Sequence, residues 1–119
     1  MKRISLHFLS GSKKGTKFYI RDEGSYLIGR GTECEIQLSD ANVSRVHCQI
    51  KYHENILHIE DLESTNGLYL NGERVINNEL NHGDVVTIGF TVFRIGGDSE
   101  EYNSTPTIST PIINAEKDM

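Results

Sequence analysis

The strongest constraint on this chain is its punctuation. Between residues 4 and 97, short apolar runs recur and each is cut off by Gly, Asn or Asp before it could make three helical turns. Ile4, Leu6 and Phe8 alternate with Ser5, His7 and Leu9, the two-residue period of a half-buried strand. Lys17-Phe18-Tyr19-Ile20 follows a Gly-Ser-Lys-Lys-Gly turn and predicts a first hairpin. Further strands are predicted at Tyr26-Leu27-Ile28, Glu35-Ile36-Gln37-Leu38, Val46 to Tyr52, Ile56 to Glu60 and Leu68-Tyr69-Leu70. Asn71-Gly72 is a strong two-residue hairpin signal, and Val85 to Ile88 and Val92 to Ile95 close the series. No window carries a capped helical period. Many short strands at this spacing predict an all-β sandwich of two antiparallel sheets packed face to face.

The punctuation also sets a boundary. All eleven Gly precede residue 98 and both Pro follow it. Residues 1–97 read as one domain. Residues 98–119 are rich in Ser, Thr, Asn and acidic groups, with too little apolar surface to offset chain entropy, and are expected to form a flexible acidic tail or linker. The tail holds a net charge of −4 and residues 1–97 only −1, out of −5 in all. A near-neutral domain offers no broad basic surface, so nucleic acid is not an expected partner. Any anion site must be a local pocket. No apolar run reaches 18 residues, and the first residues alternate like a strand, so neither a membrane span nor a secretion signal is read and a cytoplasmic setting is expected. Cys34 and Cys48 fit no zinc spacing and are expected as reduced, half-buried thiols. The five His form no metal-binding cluster, so no metal or cofactor is expected.

Three inter-strand loops carry the chemistry: Gly29-Arg30, Ser44-Arg45-Val46-His47 and Thr65-Asn66-Gly67. Each places short polar donors beside a Gly or an Arg. Donors converging from separate loops suit a tetrahedral anion. Arg30 offers a planar, permanently charged fork, with pairing to Glu33 or Glu35 as its alternative use. Ser44 offers a short hydroxyl donor, or could simply cap a turn. Arg45 is either a second cation or a solvated surface residue. Asn66 has a side-chain amide that both donates and accepts, or could serve as a left-handed turn residue before Gly67. Gly67, Gly72 and Gly83 read as turn glycines, and Asp84 as a tie in the last turn rather than a ligand contact.

Taken in order, Gly29-Arg30, Ser44-Arg45-Val46-His47, Thr65-Asn66-Gly67, Leu70-Asn71-Gly72 and Gly83-Asp84 resemble the forkhead-associated (FHA) domain over nearly all of residues 4–96. The resemblance implies an eleven-stranded sandwich that binds phosphothreonine peptides through loops at one end. It implies phosphopeptide contacts from Arg30, Ser44, Arg45, Thr65 and Asn66, with Gly29, His47 and Gly67 as structural support, and an upstream Ser/Thr kinase. It also implies a preference for threonine, through a niche for the extra methyl. The loop Ser39 to Val43 lacks a basic residue, which leans the choice at the third residue after the phosphothreonine towards an aliphatic one. Catalysis is not expected: no nucleophile elbow, P-loop or kinase signature is present, and Gly29-Arg30-Gly31 lacks the βαβ setting of a dinucleotide fingerprint. The competing reading is a phosphate-independent interaction domain that uses a sheet face.

The tail repeats Thr-Pro-x-Ile twice, from Thr105 to Ile108 and from Thr110 to Ile113. Each places an aliphatic residue three positions after a phosphorylatable threonine. Thr105 and Thr110 are therefore candidate phosphosites for the chain's own pocket, against the plainer reading of a low-complexity linker.

Overall fold

A computed structural model describes residues 4–97. Eleven strands run in chain order: β1 (Ile4–Ser10), β2 (Lys17–Ile20), β3 (Gly24–Gly29), β4 (Ile36–Gln37), β5 (Cys48–His53), β6 (Ile56–Asp61), β7 (Leu68–Leu70), β8 (Glu73–Val75), β9 (Asn77–Leu80), β10 (Val85–Ile88) and β11 (Thr91–Gly97). Six form one sheet in the order β2-β1-β11-β10-β7-β8, and five form the other in the order β4-β3-β5-β6-β9. The strand number agrees with the family resemblance. The sheets are not wholly antiparallel, however, because β3 and β4 pair in parallel, with Ile28 opposite Ile36. The loop between them swings across the end of the sheet instead of reversing in a hairpin.

Alternation decides which side chains enter the core. Ile4, Leu6 and Phe8 of β1 point inward, with Phe93 and Ile95 of β11 and Val86 and Ile88 of β10 beside them. Ile28, Ile50, Ile59 and Leu57 face them from the second sheet. Phe8 and Phe93 are cross-strand partners, with ring centroids 5.4 Å apart. Near-complete burial of a side chain of this size contributes roughly 1.5–3 kcal/mol. The Asn71-Gly72 turn forms as expected, with both residues at positive φ (51° and 88°), joining β7 to β8. Asp84 ties this end: its carboxylate accepts from the Asn71 amide at 3.0 Å and from the Asn81 N–H at 2.8 Å.

Two predicted strands are shorter than expected, and two strands were not predicted. β5 begins at Cys48, not Val46, because His47 is drawn into the loops by both ring nitrogens. β4 keeps only two of four predicted residues. β8 and β9 are polar and mostly exposed, so no alternation announces them. Both cysteines are free and buried rather than half-buried, Cys48 completely.

Candidate functional site

At one end of the sandwich the loops are laced together by main-chain bonds. The Arg30 N–H donates to the Ser44 carbonyl at 3.0 Å, and the Gly31 N–H to the Arg45 carbonyl at 2.9 Å. This approach is what requires Gly29: a Cβ there would stand 2.2 Å from the Arg45 carbonyl oxygen. The Arg30 side chain reinforces the seam, its Nε donating to the Val43 carbonyl at 2.6 Å. That single bond orients the guanidinium and leaves its two terminal nitrogens without a hydrogen-bond partner among the described residues. Neither carboxylate weighed against it is its partner: Glu35 accepts from the Leu27 N–H, and Glu33 stands 3.9 Å from Arg45.

Ser44 is the hub. Its carbonyl takes Arg30, its N–H donates to His47 Nδ1 at 3.0 Å, and its Oγ accepts the Thr65 N–H at 3.0 Å. With the oxygen serving as acceptor, the hydroxyl proton is free to be given to a ligand. His47 is wholly buried. Because Nδ1 accepts, the ring proton sits on Nε2, 2.7 Å from the Gly67 carbonyl, and one imidazole joins the second loop to the third. Gly67 takes φ +92° there, and the Arg74 guanidinium packs over it where a Cβ would be. Within the third loop, the Ser64 Oγ donates to Asp61 and accepts the Gly67 N–H.

Thr65 and Asn66 are exposed. The Thr65 hydroxyl has no partner among the described residues. Asn66 is not a left-handed turn residue: it is absent from the positive-φ set, and its Nδ2 donates to the Asn42 carbonyl at 2.9 Å. That bond leaves its carbonyl oxygen and second N–H unused. Arg45 contributes its carbonyl to the seam, while its side chain points to solvent, 73% exposed. The structure thus gathers Gly29, Arg30, Ser44, His47, Thr65, Asn66 and Gly67 into one cross-tied cluster and turns the Arg45 guanidinium towards Glu33 at its margin.

Sequence reasoning missed a fourth loop. Asp40, almost fully buried, accepts from the Asn42 N–H, the Phe90 N–H and the Thr91 hydroxyl, at 2.8–2.9 Å. Burial pushes its carboxyl pKa up, but these three donors outweigh it and hold the group below its ordinary value. Asp40 thereby anchors the second loop to the β10–β11 turn. A cavity of about 230 Å³ opens there beside Asn66, between Asn42, Tyr69, Thr87 and the exposed ring of Phe90. Only the Asp40-Ala41-Asn42 turn signature hinted at this tie.

A sequence model of the FHA domain matches residues 26–89, more than half of the chain. This chain belongs to the FHA domain family. It is 37% identical over 86 residues to the FHA domain-containing protein FhaA of Mycobacterium tuberculosis, covering 72% of this chain and 16% of that protein. It is 35% identical over 79 residues to the glycogen accumulation regulator GarA of the same species, covering 66% of this chain and 48% of that one. The chain therefore spans half or less of these relatives. Among solved structures, one from a study of phosphothreonine-dependent FHA domain interactions superimposes with a TM-score of 0.73 at 34% identity, covering 79% of this chain and 95% of the other. Among the described residues, no helix is long and apolar enough to cross a membrane.

Proposed function

We propose that residues 1–97 form a phosphothreonine-reading domain that docks threonine-phosphorylated proteins without acting on them, in a cytoplasmic signalling setting downstream of a Ser/Thr kinase. The observation that carries this reading is the Ser44 hub. Three loops are bound into one rigid rim, and the Ser44 hydroxyl proton and the Arg30 terminal nitrogens remain for a ligand. A phosphate monoester brings close to two negative charges and three acceptor oxygens, the complement of that set. Arg30 supplies the charge, and Ser44 and Thr65 supply hydroxyl bonds. Asn66 holds the peptide backbone through the amide groups it has left, and Arg45 adds long-range attraction from the margin. Gly29, His47 and Gly67 fix the frame.

The test is titration of a threonine-phosphorylated peptide, its unphosphorylated form and a phosphoserine form. A Kd in the micromolar range, about −8 kcal/mol at 1 μM, is expected for the first alone. Arg30→Ala removes the fork at an exposed position. The loss of charge-assisted bonds of about 1.5–3 kcal/mol predicts at least a tenfold weakening with the fold intact. Binding that ignores phosphate and survives Arg30→Ala would favour a sheet-face interaction instead.

Thr105 and Thr110 lie outside the described residues, and we propose them as ligands for the same pocket. β11 carries the chain about 20 Å away from the site, from Thr91 beside Asp40 to Gly97. The eight residues from Gly97 to Thr105 span at most about 28 Å, and the thirteen to Thr110 at most about 45 Å. Thr110 reaches its own pocket with ample slack, whereas Thr105 has only about 8 Å to spare and suits a second copy better. Phosphopeptides covering residues 100–116, modified at one site or the other, test this directly. Equal affinity with and without phosphate would end it.

A further inference from the structure

The opposite end of the six-stranded sheet carries a second polar concavity. The alternation that sends Ile4, Leu6 and Phe8 into the core turns Ser5 and His7 to the outer face. On that face His7 lies opposite Lys17 of β2 and Arg94 of β11, and Ser5 lies opposite Gly96. Gly96 lacks the side chain that would cover Ser5. The result is a cleft of about 490 Å³ lined by Ser5, His7, Lys17, His82, Arg94 and the backbone of Gly96.

Three observations give the cleft a ligand preference. Among the described residues it is lined by two cations and two imidazoles, with no carboxylate among them. Among the described residues, no carboxylate lies within ion-pair distance of Lys17 or Arg94. Ser5 is only 6% exposed, and its hydroxyl has no hydrogen-bond partner among the described residues. A buried hydroxyl without a partner is rare in folded proteins and calls for a water or a ligand. Adjacent strands lie about 4.8 Å apart, so the Lys17 and Arg94 side chains rise on either side of His7 and can close on one small anion. The imidazole of His82 is held below its ordinary pKa, first by burial and then by the neighbouring Arg94, so the Arg94 charge is felt within the cleft.

We propose that this cleft is a second oxyanion site that takes a phosphate group, free or as a monoester, with Ser5 as the donor at its floor and Lys17 and Arg94 as its charged walls. It borders Gly83, before β10, whereas the Ser44 cluster lies beyond Gly89, after β10, so the two sites occupy opposite ends of the sandwich. A chain with both could hold two phosphorylated groups at once.

The experiment uses the full chain carrying Arg30→Ala, which silences the first site, and follows backbone amide resonances. Inorganic phosphate and O-phosphoserine are titrated separately, with acetate at equal ionic strength as the control. Saturable shifts at Ser5, His7 and Gly96 are expected with phosphate species and not with acetate. Tighter binding of O-phosphoserine assigns the site to a protein-borne group, and tighter binding of inorganic phosphate to the free anion. Lys17→Ala with Arg94→Ala, both at exposed positions, should weaken binding at least tenfold. Gly96→Ala places a Cβ 3.2 Å from Ser5 Oγ and should weaken it without removing a charge. No saturable shift at these amides, equal binding of acetate, or indifference to the double substitution would overturn the proposal. None of these results bears on phosphothreonine binding by the unsubstituted chain.

Discussion

Replacing His47 with Ala tests the architecture of the site more severely than any exposed substitution. The imidazole is wholly buried and holds two main-chain groups, the Ser44 N–H at 3.0 Å and the Gly67 carbonyl at 2.7 Å. Alanine leaves both without a partner, at about 1–3 kcal/mol each, and adds the loss of packing around the ring. The expected loss is roughly 3–6 kcal/mol, a large part of the ~5–15 kcal/mol that holds a domain folded. For a domain of this size each kcal/mol lowers Tm by about 4–8 °C, so a drop of at least about 12 °C is expected. Denaturant titration followed by far-ultraviolet circular dichroism measures the loss, and peptide titration well below the new midpoint measures binding. Both should fall, because the ring joins the loop bearing Ser44 to the loop bearing Thr65 and Asn66. His47→Gln, which can accept at its oxygen and donate at its nitrogen, should recover part of each. A stability loss under about 1 kcal/mol would refute the view that this ring ties the rim together.

Three further outcomes follow from the geometry. Gly29→Ala drives a Cβ against the Arg45 carbonyl, so a loss of about 1–3 kcal/mol or more is expected, together with weaker phosphopeptide binding as the seam parts; a variant as stable and as tight as the parent would contradict it. Asp40 has a carboxyl pKa lowered by folding, so its contribution is present above the unfolded value near 3.9 and is lost as pH falls through the folded value; Asp40→Asn should therefore flatten the acid limb of the stability curve, read by denaturant titration between about pH 2 and 6. Burial pushes both thiols up, Cys48 far above the ordinary range, so alkylation at about pH 8 should be slow in the native state and complete in denaturant, as followed by mass spectrometry.

Much of this molecule was legible in advance because its local signals agree with one another. Period-two alternation at Ile4 to Phe8 and at Val92 to Ile95, and the Asn71-Gly72 turn, point to strands that the fold keeps. The polar β8 and β9 left no such trace, since edge strands with one wet face need no apolar period. The site residues were visible as types: an Arg after a Gly, a Ser three positions before a buried ring, an Asn before a Gly. Their wiring was not. Nothing in the sequence says that Arg45 serves the seam by its carbonyl while its side chain leans on Glu33, or that Asp40 reaches fifty positions along the chain to Phe90. Such long-range bonds depend on how the loops meet, which local patterns do not encode.

The Ser44 hydroxyl already accepts the Thr65 N–H, so a ligand that takes its proton turns the rim into a relay. An acceptor that draws on its proton enriches the lone pair facing the Thr65 amide, and hydrogen bonds in series strengthen one another. Filling the site should then stiffen the turn at Thr65 through its backbone as well as through direct contact, and slower solvent exchange at the Thr65 amide would report occupancy.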